Sequence, residues 1–166
     1  MLGVDVKDNF LSKESFRSLQ EIMMGYEFPW HFTDKILEYQ SHRSKLFQFY
    51  HTFYEYQIGP TDFYDIIKPC VDFLSVKNLL RVKANLNPRT VFHRNGGYHI
   101  DYRTHPPQMK TAILYLNTNN GWTQFKKGGK VKSVENRMVI FNGDMEHTGV
   151  TCTDEVRRVV INFNFI

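Results

Sequence analysis

His99-Ile100-Asp101 sets an imidazole and a carboxylate two residues apart in a stretch, Tyr98 to Tyr102, that reads as a strand. Alternate strand residues point to one face, so these two side chains can grip one metal ion together. A lone His-x-Asp triplet carries little information, because both residue types recur along the chain. A second imidazole adds to it. Met138-Val139-Ile140-Phe141 reads as an apolar strand, and His147 stands just past it, after Asn142-Gly143-Asp144-Met145-Glu146. Two histidines and one carboxylate form the facial set that suits non-haem Fe(II) and leaves positions open for a cosubstrate and dioxygen.

Downstream, Val156 to Phe165 read with period two gives an apolar face (Val159, Ile161, Phe163, Phe165) and a more polar one (Arg158, Val160, Asn162, Asn164). The polar face is expected to look inward. A buried arginine there needs an anion, and a dicarboxylate reaching it from the metal would make a bidentate fork contact. Arg158 is therefore favoured over Arg157, which shares the outer face.

The elements that must position these residues fall in two textures. Ser12 caps a predicted helix over Lys13 to Met24, with Phe16, Leu19 and Met23 at helical spacing and Gly25 as the stop. A second helix is predicted from about Thr61 to Leu74, although Pro69 falls inside it. From Leu79 onward, short β-type runs alternate with Gly, Asn and Pro: Leu80 to Asn87, Tyr98 to Tyr102, Lys110 to Asn117, Thr123 to Phe125, Arg137 to Asn142 and Val156 to Phe165. Helices first and strands after argue for a mainly β fold, an antiparallel sandwich or jelly roll with helices packed on one outer face.

The 166 residues suit a single domain, with helical support over about 9–75 and a β core over about 79–166. Hydrophobic residues at 42% and charged residues at 23% exclude disordered and fibrous classes. Aromatics at 15% fit pleated surfaces. No apolar run approaches the ~20 residues of a membrane helix, and no secretory signal opens the chain, so a cytoplasmic location is expected. Cys70 and Cys152 lack metal or redox spacing and read as buried thiols. A net charge of +4 favours anionic ligands without demanding a nucleic acid.

With these residues in place, the chain resembles the 2-oxoglutarate/Fe(II)-dependent dioxygenases, specifically the small prolyl-4-hydroxylase-like group. The likeness rests on His99-x-Asp101, His147, Arg158 eleven residues on, and Thr111-Ala112-Ile113-Leu114-Tyr115-Leu116-Asn117, similar to the family's strand ending Tyr-Leu-Asn. It covers roughly residues 80 to 165. It implies a double-stranded β-helix, the cupin-like jelly roll, with His99, Asp101 and His147 on Fe(II). The cosubstrate 2-oxoglutarate would chelate the iron, with Arg158 and Tyr115 at its distal carboxylate and dioxygen at the remaining position. In this family a strand before the His-x-Asp often lends a polar group near the cosubstrate, for which Asn85 or Asn87 is suited; Asn162 is assigned to the cosubstrate as well. The implied reaction hydroxylates a substrate with release of succinate and carbon dioxide, and ascorbate is admitted as a further cofactor.

The expected substrate is a prolyl residue of a peptide or protein. The alternatives are the same chemistry on a free amino acid, another metabolite or a nucleobase, and a jelly-roll binding module without turnover. Repair dioxygenases carry a second arginine six residues after the first, where this chain has Asn164, so a nucleic-acid substrate is disfavoured. Small members of the family also occur in viruses of marine bacteria, which suggests a phage origin and host cytoplasm. Tyr98, Arg103 and Trp122 are candidates for the substrate mouth, together with Arg94, His105 and a stiff rim at Thr104-His105-Pro106-Pro107. His31, His42, His51, His93 and His105 are assigned no metal. Lys126 to Lys132, centred on Gly128-Gly129, reads as a solvated hairpin tip, and the aromatic run Phe47 to Tyr56 as core and edge packing.

Overall fold

A computed structural model describes residues 3–37, 46–101 and 108–166. In chain order the elements are β1 (Val4–Lys7), α1 (Lys13–Met24), β2 (His31–Thr33), β3 (Gln48–Glu55), β4 (Gly59–Pro60), α2 (Tyr64–Leu74), β5 (Leu79–Pro88), β6 (Lys110–Tyr115), β7 (Trp122–Phe125), β8 (Lys130–Lys132), β9 (Arg137–Asn142), β10 (His147–Val150) and β11 (Arg157–Phe165). The larger sheet has eight strands in the order β1-β9-β6-β11-β5-β3-β2, with β4 added to β3. The smaller sheet runs β10-β7-β8. Neighbouring strands pair antiparallel, the arrangement of a jelly roll. No helix among the described residues is long and apolar enough to cross a membrane.

Period two in the two central strands sorts the interior into layers. On β11 the residues Val159, Ile161, Phe163 and Phe165, and on β5 Val82, Ala84 and Leu86, join Phe16, Leu19, Met23, Ile67 and Cys70 of the helices in one hydrophobic core. Their alternates, Arg158, Val160 and Asn162 on β11 and Arg81, Lys83, Asn85 and Asn87 on β5, line a cavity on the opposite face. One sheet thus buries an apolar face against helices and turns a polar face toward the smaller sheet. A second apolar cluster, with Ile113, Tyr115, Phe125, Val139, Phe141 and Val160, closes the sandwich beside the cavity.

Local chemistry explains the helix on that outer face. The Ser12 hydroxyl accepts from the Ser15 N–H of α1, a cap worth about 1 kcal/mol. At the other end, Arg157 donates to the Met24 carbonyl at 2.7 Å, a cation at the negative end of a helix. The Gln20 amide donates to the Leu116 carbonyl, fastening the middle of α1 to the sheet. In α2, Pro69 lies inside the helix, and the wholly buried Ile67 and Cys70 hold that segment against the core. Both cysteines are free and buried, and burial pushes the Cys70 thiol up to about 12.

Three expectations need correction. The stretch 9–75 supplies helical support but also β2, β3 and β4, and β3 pairs directly with β5. The aromatic run 47–56 is mostly this strand; the half-buried Phe49 and Tyr54 pack on the core cluster, which hides the polar alternation that marks β5. Tyr98 to Tyr102 does not form a continuous strand over its described residues 98–101. Instead single bridges pair Asn95 with Val150 and His99 with His147. Between them Gly97 adopts φ +98°, a left-handed turn open to glycine that interrupts extended pairing. Finally, α2 begins at Tyr64 rather than Thr61, because Phe63 sits at φ 66°.

Candidate metal centre

Short backbone pairing brings the two imidazoles together. The His99 N–H donates to the His147 carbonyl and the His147 N–H to the His99 carbonyl, each at 3.0 Å. The rings lie with centroids 4.8 Å apart. Asp101 joins them, with Oδ1 at 3.6 Å from Nε2 of His99 and 3.9 Å from Nε2 of His147. Ligating atoms of the three residues all fall within 4.8 Å of one another. His147 and the Asp101 side chain are buried, and His99 is half-buried at the cavity side.

The imidazoles are held in one orientation by their own backbone. Nδ1 of His99 lies 3.1 Å from the Gly97 carbonyl, and Nδ1 of His147 lies 3.0 Å from the Met145 carbonyl. A carbonyl only accepts, so each Nδ1 carries a proton and each Nε2 faces inward, the outer-shell arrangement of metal-ligating histidines; the proton that His99 Nε2 shares with Asp101 in the ion-free protein is the one an ion displaces. For the Asp101 carboxyl, burial works to raise its pKa, but the His99 hydrogen bond and the charges of His147 and Arg81 outweigh it and hold the group well below the usual carboxylate range. Burial lowers the His147 imidazole, whereas at His99 burial also works to lower the pKa but the Asp101 carboxylate outweighs it and raises it, so binding an ion there releases a proton. A carboxylate and a neutral imidazole are the ligating forms. The donor set therefore fits a divalent transition metal with positions to spare.

Deeper in the cavity, which has a volume of about 420 Å³, Arg158 is buried at 3% exposure. Nε donates to the Ser133 hydroxyl at 3.0 Å and Nη2 to Thr123 Oγ1 at 3.2 Å. No carboxylate pairs with it among the described residues, and burial lowers its pKa from the ordinary value. Glycines make room for it. A Cβ at Gly121 would come within 2.9 Å of Arg158 Cδ and 2.7 Å of the Val150 carbonyl, and one at Gly149 within 3.3 Å of Nη1. A buried cation with only hydroxyl partners, open to a cavity, has the chemistry to receive an anion.

Asn85 and Asn162 line the cavity as well, and the buried Oδ1 of Asn85 has no hydrogen-bond partner among the described residues. Tyr115 is wholly buried and is not part of the lining. Its hydroxyl donates to Thr123 Oγ1 at 2.8 Å, and its ring lies 5.5 Å from the Arg158 guanidinium, so it borders that group from behind. Neither Tyr98 nor Trp122 lines the cavity. Trp122 instead packs against His93 and carries the Lys130 ammonium over its ring. Arg103, with His105 and the 104–107 rim, lies outside the described residues.

Polar lining residues that the sequence reading did not single out include Gln48, Arg81, Lys83, Thr123, Thr148 and Thr151. The polar alternation Arg81, Lys83, Asn85, Asn87 along β5 was legible and singles out three of the cavity residues beside Asn85. Of the other histidines, His51 lies buried between the Pro29 and Asp62 carbonyls and Nδ1 of His93 meets the Thr151 carbonyl at 2.8 Å, while His42 and His105 lie outside the described residues. The basic segment 126–132 is the β7–β8 hairpin, where Lys126 pairs with Glu146.

No protein-family model and no curated protein matches the chain. Solved structures do. A prolyl hydroxylase from Trichoplax adhaerens, in complex with a hypoxia inducible factor oxygen degradation domain peptide fragment, is similar with TM-score 0.65 and 16% identity, over 98% of this chain and 83% of that one. An oxidoreductase of the 2OG-Fe(II) oxygenase family from Burkholderia pseudomallei gives TM-score 0.66 and 8% identity, over 99% and 85%. A Pseudomonas putida prolyl-4-hydroxylase gives TM-score 0.62 and 16% identity, over 98% and 92%. The jelly roll that carries His99, Asp101, His147 and Arg158 is thus the fold of the 2-oxoglutarate/Fe(II) oxygenases, prolyl hydroxylases among them.

Proposed function

We propose that the protein is an Fe(II)- and 2-oxoglutarate-dependent dioxygenase that hydroxylates a prolyl residue of a peptide or protein. One observation carries the reading: a cluster of two Nε2-presenting histidines and one carboxylate shares a cavity with a buried arginine that has no carboxylate partner among the described residues. The iron supplies oxygen activation coupled to decarboxylation of the cosubstrate. His99, Asp101 and His147 hold the ion, and their Nδ1 and Oδ2 hydrogen bonds fix the direction of each donor. Arg158 binds the distal carboxylate of 2-oxoglutarate, aimed by Ser133 and Thr123, with Tyr115 buttressing Thr123 from behind. Asn85 and Asn162 lend polar contacts along the wall between. The peptide substrate is supported by the fold's prolyl hydroxylase neighbours, one of them in complex with a peptide.

Adding Fe(II) and then 2-oxoglutarate without oxygen is expected to give a visible charge-transfer band. The band should vanish in His99→Ala, Asp101→Ala and His147→Ala. A wild type with no band, under conditions where an established dioxygenase shows one, sinks the reading. Substrate-stimulated succinate release, compared across proline-containing peptides, free amino acids and oligonucleotides, then separates the prolyl target from its alternatives.

A further inference from the structure

The two oxygens of Asp101 have different partners. Oδ1 is the one nearest both histidine Nε2 atoms. Oδ2 accepts a hydrogen bond from Nδ2 of Asn164 at 3.1 Å. Asn164 is wholly buried on the inner face of β11, and its remaining contacts come from its cross-strand neighbours. Thr111 stands opposite it on β6 and Arg81 opposite it on β5. Nδ2 also donates to Thr111 Oγ1 at 3.1 Å, and Oδ1 accepts from Arg81 Nε at 3.2 Å.

The amide's direction follows from its neighbours. Carboxamide oxygen and nitrogen have nearly the same shape, so only bonding partners distinguish them. Arginine Nε can only donate, so the Asn164 atom facing Arg81 is the oxygen and the NH2 group must face Asp101. Arg81 also reaches Asp101 directly, with Nη2 donating to its carbonyl at 3.3 Å and lying 3.7 Å from Oδ1.

We propose that Asn164 is a positioning residue of the metal centre: its amide, oriented by Arg81, occupies Oδ2 of Asp101 so that Oδ1 alone is offered to the ion. The inference rests on reading His99, Asp101 and His147 as a metal site. Its consequence is a coordination count. Two imidazoles and one carboxylate oxygen take three octahedral positions on one face, whereas a carboxylate free to turn would take a fourth and close one that the chemistry needs. Ligand-orienting partners of this kind are worth about 10–100-fold in metal affinity.

The test titrates the metal-free protein with Co(II), without cosubstrate, and reads affinity and the visible spectrum of the bound ion. Asn164→Leu keeps the branching at Cγ and removes the donor. Asn164→Ser keeps a polar group for Arg81 but does not reach Asp101, and serves if the leucine variant fails to fold. Both leave the net charge unchanged. Each is expected to weaken Co(II) binding by about 10–100-fold and to alter the intensity and position of the bands. Thr111→Val removes the other acceptor of the same amide, and should leave affinity within about threefold with an unchanged spectrum. A wild type that binds no Co(II) overturns the metal-site reading itself. A wild type that binds, with Asn164 variants of equal affinity and identical spectrum, overturns the positioning role alone. Equal effects of Thr111→Val and the Asn164 variants also overturn it, since they would mean general loosening of the sheet.

Discussion

Arg158 is costly in the free protein and valuable in the complex, and a single substitution separates the two. Its guanidinium is buried with hydroxyl partners and, among the described residues, no counter-charge. Taking such a charge out of water costs several kcal/mol even after relaxation, no less than the two hydroxyl hydrogen bonds return at about 1.5–3 kcal/mol each, so an apolar side chain of similar volume is neutral to stabilising. Arg158→Met is therefore expected to unfold at equal or higher urea concentration than wild type when no ligand is present. On the proposed function, the same change would strip the cosubstrate carboxylate of its cation, an expected loss of about 2–5 kcal/mol, or roughly 30- to several-thousand-fold in 2-oxoglutarate affinity. Metal binding should be unaffected. Stability and affinity falling together would mean that Arg158 is an ordinary structural residue. Which of the neighbouring arginines faces the cavity was legible because strand alternation puts them on opposite faces: Arg157 caps α1, and Arg158 enters the cavity. The role of Asn164 was not legible. In sequence it is only the absence of an arginine, whereas in the fold its amide is oriented by Arg81, 83 positions away, whose Nη2 lies 3.7 Å from Asp101 Oδ1.

Among the connections between elements, Asn136 makes four hydrogen bonds to other segments. It lies at φ 55°, just before β9. Its side chain accepts from the Leu11 N–H at 2.9 Å and donates to the Leu11 carbonyl at 2.8 Å, while its own carbonyl accepts from Phe10 and its N–H donates to Tyr115. One residue thereby ties the lead-in to α1 to the ends of β6 and β9. Asn136→Ala strands two buried backbone groups, at about 1–3 kcal/mol each, and loses the polar side chain that lets asparagine tolerate the left-handed region, about 1 kcal/mol more. A loss of about 3 kcal/mol or more in urea unfolding is expected. Asn136→Gly should recover only the backbone part. An alanine variant within about 0.5 kcal/mol of wild type would contradict the argument. Elements with one polar and one apolar face, β5 and β11, were legible from alternation, as was α1 from its cap and stop. The strand β3 was not, since aromatics occupy both its faces, nor was β10, whose four residues depend on β7 and the Asn95–His99 segment for pairing.

At the scale of the molecule, the candidate site straddles the sandwich. His99 and Asp101 come from a segment bridged to β10, His147 from β10 itself in the smaller sheet, and Arg158 from β11 at the centre of the larger one. A metal ion alone would fasten groups on one side of the cavity. A dicarboxylate bound to both metal and Arg158 would fasten the two sheets to each other, so its effect depends on the metal being there first. Any ligand that binds only the folded chain stabilises it by RT ln(1 + [L]/Kd), about 2.7 kcal/mol at a hundredfold excess over Kd. For a domain of this size each kcal/mol raises Tm by about 2–4 °C. Co(II) with 2-oxoglutarate is therefore expected to raise Tm by about 5–10 °C, and by more than the separate shifts added together. Chelating the metal should remove nearly all of the gain, His147→Ala should abolish both shifts, and Arg158→Met should keep the metal shift while losing the cosubstrate's. If 2-oxoglutarate alone raised Tm as much as the pair does, the dicarboxylate would be anchored without the metal, and the two halves of the cavity would be separate sites.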